Sequence, residues 1–203
     1  LIIIPIVFFF IIKGSLFFLF FLGIFFYTTS YEWFKMNKDN VFKIIGIIYL
    51  FIVVYSAYFL RENFGIKIFI FIIIICIFTD IGGYIFGKLF KGPKLTKISP
   101  NKTYSGVIGS YFLSIISFNI FFSFGYLHNI SKITVEIFIF VILISTVSQL
   151  GDLLISYFKR KSKLKNTGII IPGHGGLLDR IDGMLFAFPL SYLLISNNLF
   201  NFL

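Results

Sequence analysis

The sequence predicts an all-α, polytopic membrane protein with about seven transmembrane helices, counted as six to eight. Three observations predict it: a composition too apolar for a soluble core, a succession of long apolar runs, and basic residues gathered into the polar segments on one side of those runs. Of the 203 residues 58% are apolar, 13% are charged and 31 are Phe, and the mean hydropathy is +0.98. An average soluble domain carries about 25% charged residues. A globule of this length hides only about 70% of the surface its unfolded chain exposes, so much of the Phe and Ile would face water. Lipid as solvent removes that problem.

The apolar runs place spans at about 1–12, 15–30, 44–60, 67–82, 107–127, 133–153 and 184–202. A span takes about 20 apolar residues, so the first is short by itself and the second and fourth draw on their flanks. Each is expected to be helical, because the bilayer core offers no partner to an open backbone. Three longer polar segments, 31–43, 83–106 and 154–183, alternate with short connections near Lys13, at 61–66 and at 128–132, so the long ones share one side. They hold 14 of the 18 basic residues, which assigns them to the cytosol.

A formal charge of +10 raises the question of nucleic acid. The cations lie in short segments between apolar runs and form no continuous polar face, which fits anchors against anionic lipid and excludes a nucleic-acid role. Cys76 falls inside IFIFIIIICIF, where a thiol is a small apolar filler, so no disulfide framework or cysteine zinc site is expected. The chain starts with Leu in mid-run, without a basic n-region or a small-residue cleavage site, so the expectation is an incomplete N-terminus or a short first span, and no signal peptide. No repeat or low-complexity linker interrupts residues 1–203, which are read as one integral membrane domain with its chemistry in segments 79–106 and 151–183.

In GDLLISYFKRKSKLKNTGIIIPGHGGLLDRIDG, residues 151–183, Asp152 ends a long apolar run. Ser156 and Lys159 follow at i+4 and i+7, so one helical face carries a carboxylate, a hydroxyl and an ammonium. Lys159, Arg160, Lys161, Lys163 and Lys165 come next. The chain then turns through Pro172, Gly173, His174, Gly175 and Gly176, where glycines free the backbone to offer N–H groups to an anion. Asp179 and Asp182, three apart at the start of an apolar run, can face one point, with the Arg180 guanidinium between them in sequence. Carboxylates among cations at a membrane boundary suit phosphoryl chemistry under a divalent metal, since magnesium takes one or two carboxylates plus substrate phosphates. A single boundary Asp is as well explained by solvation or a lysine partner, and a lone His174 by a bond to backbone. The constellation is harder to explain away, because ionisable groups near a bilayer mark functional sites by default.

Residues 79–106, TDIGGYIFGKLFKGPKLTKISPNKTYSG, place Asp80 at the end of a span, followed by Gly82, Gly83 and Gly87, which permit close helix approach. Lys88, Lys91, Lys94, Lys97 and Lys102 then come without an acid, together with Ser99 and Thr103. An anchor loop needs the lysines but not the ISPNKT turn.

These stretches resemble the phosphatidate cytidylyltransferase (CDP-diacylglycerol synthase) family. Its signature runs S, x, apolar, K, R and ends in PGHGG, apolar, x, D, R, apolar, D, and is matched by Ser156, Lys159, Arg160, Lys165, Pro172, Gly173, His174, Gly175, Gly176, Asp179, Arg180 and Asp182. Asp80 to Gly106 resembles the family's D, G, Y, G, K block followed by ISPxKT and G, and Glu32 and Trp33 resemble a weaker element. Where the family pattern has Asp after the lysine matched by Lys165, this chain has Asn166.

The resemblance implies transfer of CMP from CTP to phosphatidate in phospholipid biosynthesis, in a bacterial inner membrane, with the site on the cytosolic side. Asp152, Asp179 and Asp182 would hold Mg2+, with room for a second cation such as K+. Lys165 and Arg180 would join the three aspartates in the catalytic set. Lys88, Ser99, Lys102, Thr103, Ser156, Lys159, Arg160, His174, Gly175 and Gly176 would bind the phosphates. The expected partners are CTP, phosphatidate, membrane lipids and a second copy of the chain in a homodimer, with no nucleic acid. Two alternatives stay open. A CDP-alcohol phosphotransferase also uses membrane aspartates, although Asp182 and Gly183 lack the arginine its pattern needs. A cation-coupled transporter would run its ion path through Asp80, Glu136 and Asp152.

Overall fold

The computed structural model describes residues 3–123, 135–168 and 175–200. Among them are seven helices and no strand: α1 (Ile3–Lys13), α2 (Ser15–Met36), α3 (Asn40–Asn63), α4 (Ile66–Phe90), α5 (Tyr104–Ser123), α6 (Val135–Lys161) and α7 (Leu178–Ser196). Five of these, α2 to α6, are long and apolar enough to cross a membrane. α1, at 11 residues, is short of a span. The 19-residue α7 stays outside the five because any 18-residue stretch of it includes Asp179, Arg180 and Asp182. Large apolar side chains such as Phe17, Phe20, Ile44, Ile48, Phe51 and Ile108 are exposed, as lipid-facing positions require.

The helices overrun the apolar runs at their polar ends. α2 continues to Met36, α4 to Phe90 and α6 to Lys161, while α7 begins at Leu178. A helix stops where its backbone finds other partners, not where lipid ends. Lys88 and Lys159 to Lys161 therefore lie on helices. Parts of the expected spans, 1–2, 124–127, 133–134 and 201–202, lie outside the described residues.

The chain divides into two compact units. The first comprises residues 1–69 with 158–181. Here Gly46 of α3 lets α2 approach so closely that a Cβ would collide with the Trp33 indole. Trp33 Nε1 donates to the carbonyl of Phe42 at 2.9 Å, and the Trp33 ring meets Phe158 edge-on at 5.0 Å. At the other end of α3, Arg61 donates to the carbonyls of Ile11 (3.0 Å) and Ile12 (3.1 Å), while Glu62 accepts from the Ser15 N–H at 2.9 Å. One arginine thus satisfies the last carbonyls of α1 and one glutamate the first N–H of α2.

The second unit comprises residues 70–157 with 182–203. Phe71 stacks on Phe121 at 5.5 Å and lies 6.0 Å from Phe118 and 6.4 Å from Phe140. α4 and α5 meet through small residues: a Cβ on Gly82 would come 2.9 Å from Ser110 Cα, and one on Gly106 would come 2.8 Å from the Gly83 carbonyl. Buried hydroxyls join the helices, with Ser110 Oγ donating to the Thr79 carbonyl at 2.7 Å and Thr79 Oγ1 to Ser145 Oγ at 2.9 Å.

Candidate functional site

The polar residues singled out by their chemistry gather in two knots, one in each unit. In the first unit, Lys159 on the last turn of α6 donates to Asp179 Oδ1 at 2.8 Å, linking residues twenty apart in sequence. Asp179 Oδ2 accepts from the N–H of Thr167 at 2.8 Å and of Gly176 at 3.2 Å. Burial pushes the Asp179 carboxyl upward, but the bond and charge of Lys159 and the two N–H groups outweigh it and hold the group below the ordinary carboxylate range. The Thr167 hydroxyl turns the other way and donates to Glu32 Oε2 at 3.0 Å. Glu32 also accepts from the N–H groups of Leu177 (2.8 Å) and Leu178 (2.9 Å) and is only 1% exposed.

In the second unit, Lys102 Nζ lies 2.6 Å from Asp152 Oδ2 and donates to the Gln149 carbonyl at 3.3 Å. Ser156 Oγ donates to Asp152 Oδ1 at 3.3 Å, one helical turn away. Asp80, from α4, interacts electrostatically with both Asp152 and Lys102. The ISPNKT turn explains how Lys102 gets there. The Lys102 N–H closes a tight turn onto the Ser99 carbonyl at 3.1 Å, and Leu95 N–H donates to the Lys102 carbonyl at 2.8 Å. Thr103 Oγ1 then accepts the Gly106 N–H at 3.1 Å, capping α5. Ser99 and Thr103 therefore shape the loop that delivers Lys102.

Asp182 belongs to this second unit and is 9% exposed. Its backbone rests on α6 where Gly151 leaves room: a Cβ there would fall 2.7 Å from the Asp182 carbonyl oxygen. Asp152 is the next residue in the chain after Gly151. Asp179 and Asp182 lie three residues apart on α7, with Asp179 in its first turn.

Lys88 Nζ stands over the Tyr84 ring, 5.7 Å from its centroid. Arg160, Lys165 and Arg180 are exposed. His174 lies outside the described residues. Gly175 takes φ 87°, where glycine is favoured, and a Cβ on it would come 3.5 Å from Asn166 Cγ. The Gly176 N–H, expected to meet a phosphate, is committed to Asp179. Glu32 and Thr167 join this bonded network, although the sequence reading gave Glu32 little weight and did not name Thr167.

Among the described residues, no three His, Cys, Asp or Glu side chains gather closely enough to hold a metal ion. Magnesium does not demand such a cage, because it keeps waters and binds through one or two carboxylates plus substrate phosphates. The aspartates supply the hard oxygen donors it prefers, so the donor chemistry fits.

Known proteins resemble the chain over most of its length. Residues 38–197 match the profile of the cytidylyltransferase family. The chain is 37% identical over 175 residues to the phosphatidate cytidylyltransferase of Staphylococcus epidermidis, an alignment covering 84% of this chain and 66% of that protein. It is 37% identical over 172 residues to the enzyme of that name from Rickettsia bellii, covering 79% and 72%. With the one from Staphylococcus aureus it shares 37% over 179 residues, covering 84% and 66%. Set against the two staphylococcal proteins, the chain spans just under two thirds of their length. With the profile matched across most of its residues, the chain belongs to the cytidylyltransferase family.

Proposed function

We propose that the chain transfers CMP from CTP to phosphatidate, giving CDP-diacylglycerol and pyrophosphate. The observation that carries this reading is that each polar knot pairs an aspartate expected in the site with a family-motif lysine, Asp179 with Lys159 and Asp152 with Lys102, at 2.8 and 2.6 Å. Opposite charges are thereby set in place for a substrate that brings its own anions. The relatives named phosphatidate cytidylyltransferase support the same substrates.

In this reading seven helices span or enter the bilayer, and segments 31–43, 83–106 and 154–183 face the cytosol, where CTP is found. An anionic oxygen of phosphatidate attacks the α-phosphorus of CTP in line. The bond to the β-phosphate breaks and pyrophosphate leaves with the electron pair. The attacking oxygen carries no proton, so no general base is needed. Lys102, Lys159, Arg160, Lys165 and Arg180 orient the phosphates and stabilise the charge that shifts to the leaving group. Held by Asp152, Asp179 and Asp182 with the triphosphate, Mg2+ would supply Lewis-acid stabilisation of that charge. Ser156 steadies Asp152, while Thr167 and Gly176 steady Asp179.

The test is an assay in detergent with cytidine-labelled CTP, phosphatidate and Mg2+. Label should enter the lipid phase with one pyrophosphate released per transfer, and Asp179→Asn should lower the rate at least about a hundredfold, the loss expected when charge at the reacting centre is removed. Transfer without phosphatidate, or an Asp179→Asn variant as active as the original, would overturn the reading.

A further inference from the structure

Glu32 lies ahead of residues 38–197, which match the family profile, yet it is among the most buried charged groups described, at 1% exposure. Burying an ionised carboxylate is costly unless its oxygens are fully engaged. Its partners among the described residues are donors: the Thr167 hydroxyl and the N–H groups of Leu177 and Leu178. An acceptor-only side chain is what such a set requires. Leu178 is the first residue of α7, so the carboxylate meets the unsatisfied N–H groups and the positive end of that helix from another part of the chain.

Asp179 grips the same two stretches from the other side. Thr167 gives its N–H to Asp179 and its hydroxyl to Glu32, and the turn gives the Gly176 N–H to Asp179 and the next two to Glu32. The fit leaves no room for side chains. A Cβ on Gly168 would come 2.8 Å from Glu32 Oε1, and one on Gly176 would come 2.6 Å from Oε2. Glu32 thus holds the N–H groups at the start of α7, one residue before Asp179.

We propose that Glu32 is a positioning residue: its buried carboxylate caps α7 from α2 and fixes the orientation of Asp179. As regards catalysis, this rests on the function proposed above. The test uses the full chain in detergent, with Glu32→Gln and the isosteric Thr167→Val, and with Thr167→Ser as the conservative variant that keeps the hydroxyl. Two readouts are taken. Amide hydrogen exchange in the peptide covering 175–182 should quicken about tenfold in Glu32→Gln, while peptides of α3 and α5 keep their protection. The kcat for CMP transfer should fall about tenfold to a hundredfold, the penalty of a misplaced reacting group, with KM for CTP unchanged. Thr167→Val should shift both readouts the same way, and Thr167→Ser should behave as the original chain. Unchanged exchange at 175–182, exchange raised equally in every helix, or full kcat despite local loosening would each overturn the proposal. If the original chain transfers no CMP, the function reading fails, and the exchange readout still decides whether Glu32 holds α7.

Discussion

The contact between α6 and α7 at Gly151 offers a graded test of whether Asp152 and Asp182 work together. A Cβ on Gly151 would stand 2.7 Å from the Asp182 carbonyl oxygen and 2.5 Å from Phe186 Cδ2. Ordinary contact begins near 3.4 Å. The Phe186 ring can swing aside, but a helical carbonyl cannot, so Gly151→Ala must separate the two backbones by roughly 0.7 Å. Overpacking of this kind costs about 1–3 kcal/mol. Displacing a reacting group by about 1 Å costs about a hundredfold in rate, so kcat should fall at least about tenfold while the protein still folds. Gly23→Ala is the matched control. Nothing lies within 4 Å of its Cβ, and alanine there should add up to about 1 kcal/mol of helix stability. Thermal unfolding in detergent and lipid-phase label transfer are measured on both. Full activity in Gly151→Ala, with the melting temperature of the original chain, would show that the spacing of the two aspartates does not matter to the reaction.

Two further outcomes are expected. Lys102→Met removes the ammonium from Asp152 and Asp80. Because the pair is 24% and 29% exposed, the stability change should be about 1 kcal/mol or less, whereas CMP transfer should fall at least about tenfold; a rate that follows the melting temperature would count against a role in binding phosphate. The depressed Asp179 carboxyl contributes stability above the ordinary carboxylate pKa of about 4 and loses it as pH falls through the folded value. The gap in melting temperature between the original chain and Asp179→Asn should therefore be constant from about pH 5 to 8 and close below about pH 4. A gap that persists undiminished at about pH 3 would mean that the ionised form is not what the Lys159 and N–H bonds stabilise.

The apolar runs were sufficient to place every helix among the described residues, because in lipid a long apolar stretch has one stable backbone. They were not sufficient to end them. α4 carries Lys88 and α6 carries Lys159 on helix because Gly83 and Gly87 still pack against α5 and Phe158 against Trp33, contacts made by residues far apart in sequence. The glycine-rich turn illustrates the same limit. Its freedom to offer N–H groups was legible, but the anions that take them in residues 176–178 are the side chains of Asp179 and Glu32, and no local pattern names a partner 145 residues away.

For Glu32 the local pattern even points the wrong way, since Lys35 at i+3 invites a solvated surface pair, and Lys35 is exposed. What overrides that pairing is the stripe to which Glu32 belongs. Thr29, Glu32, Trp33 and Met36 are all buried on α2, and their spacing of three, four and seven residues is one face of a helix. An acid on that face must leave its lysine and find donors inside the protein. The free N–H groups of a neighbouring helix start are the donors that cost least to reach, because they would otherwise be buried without a partner. Acid within a buried stripe, paired with a helix whose first turn lacks a local side-chain cap, is thus the sequence feature by which such a tether can be sought.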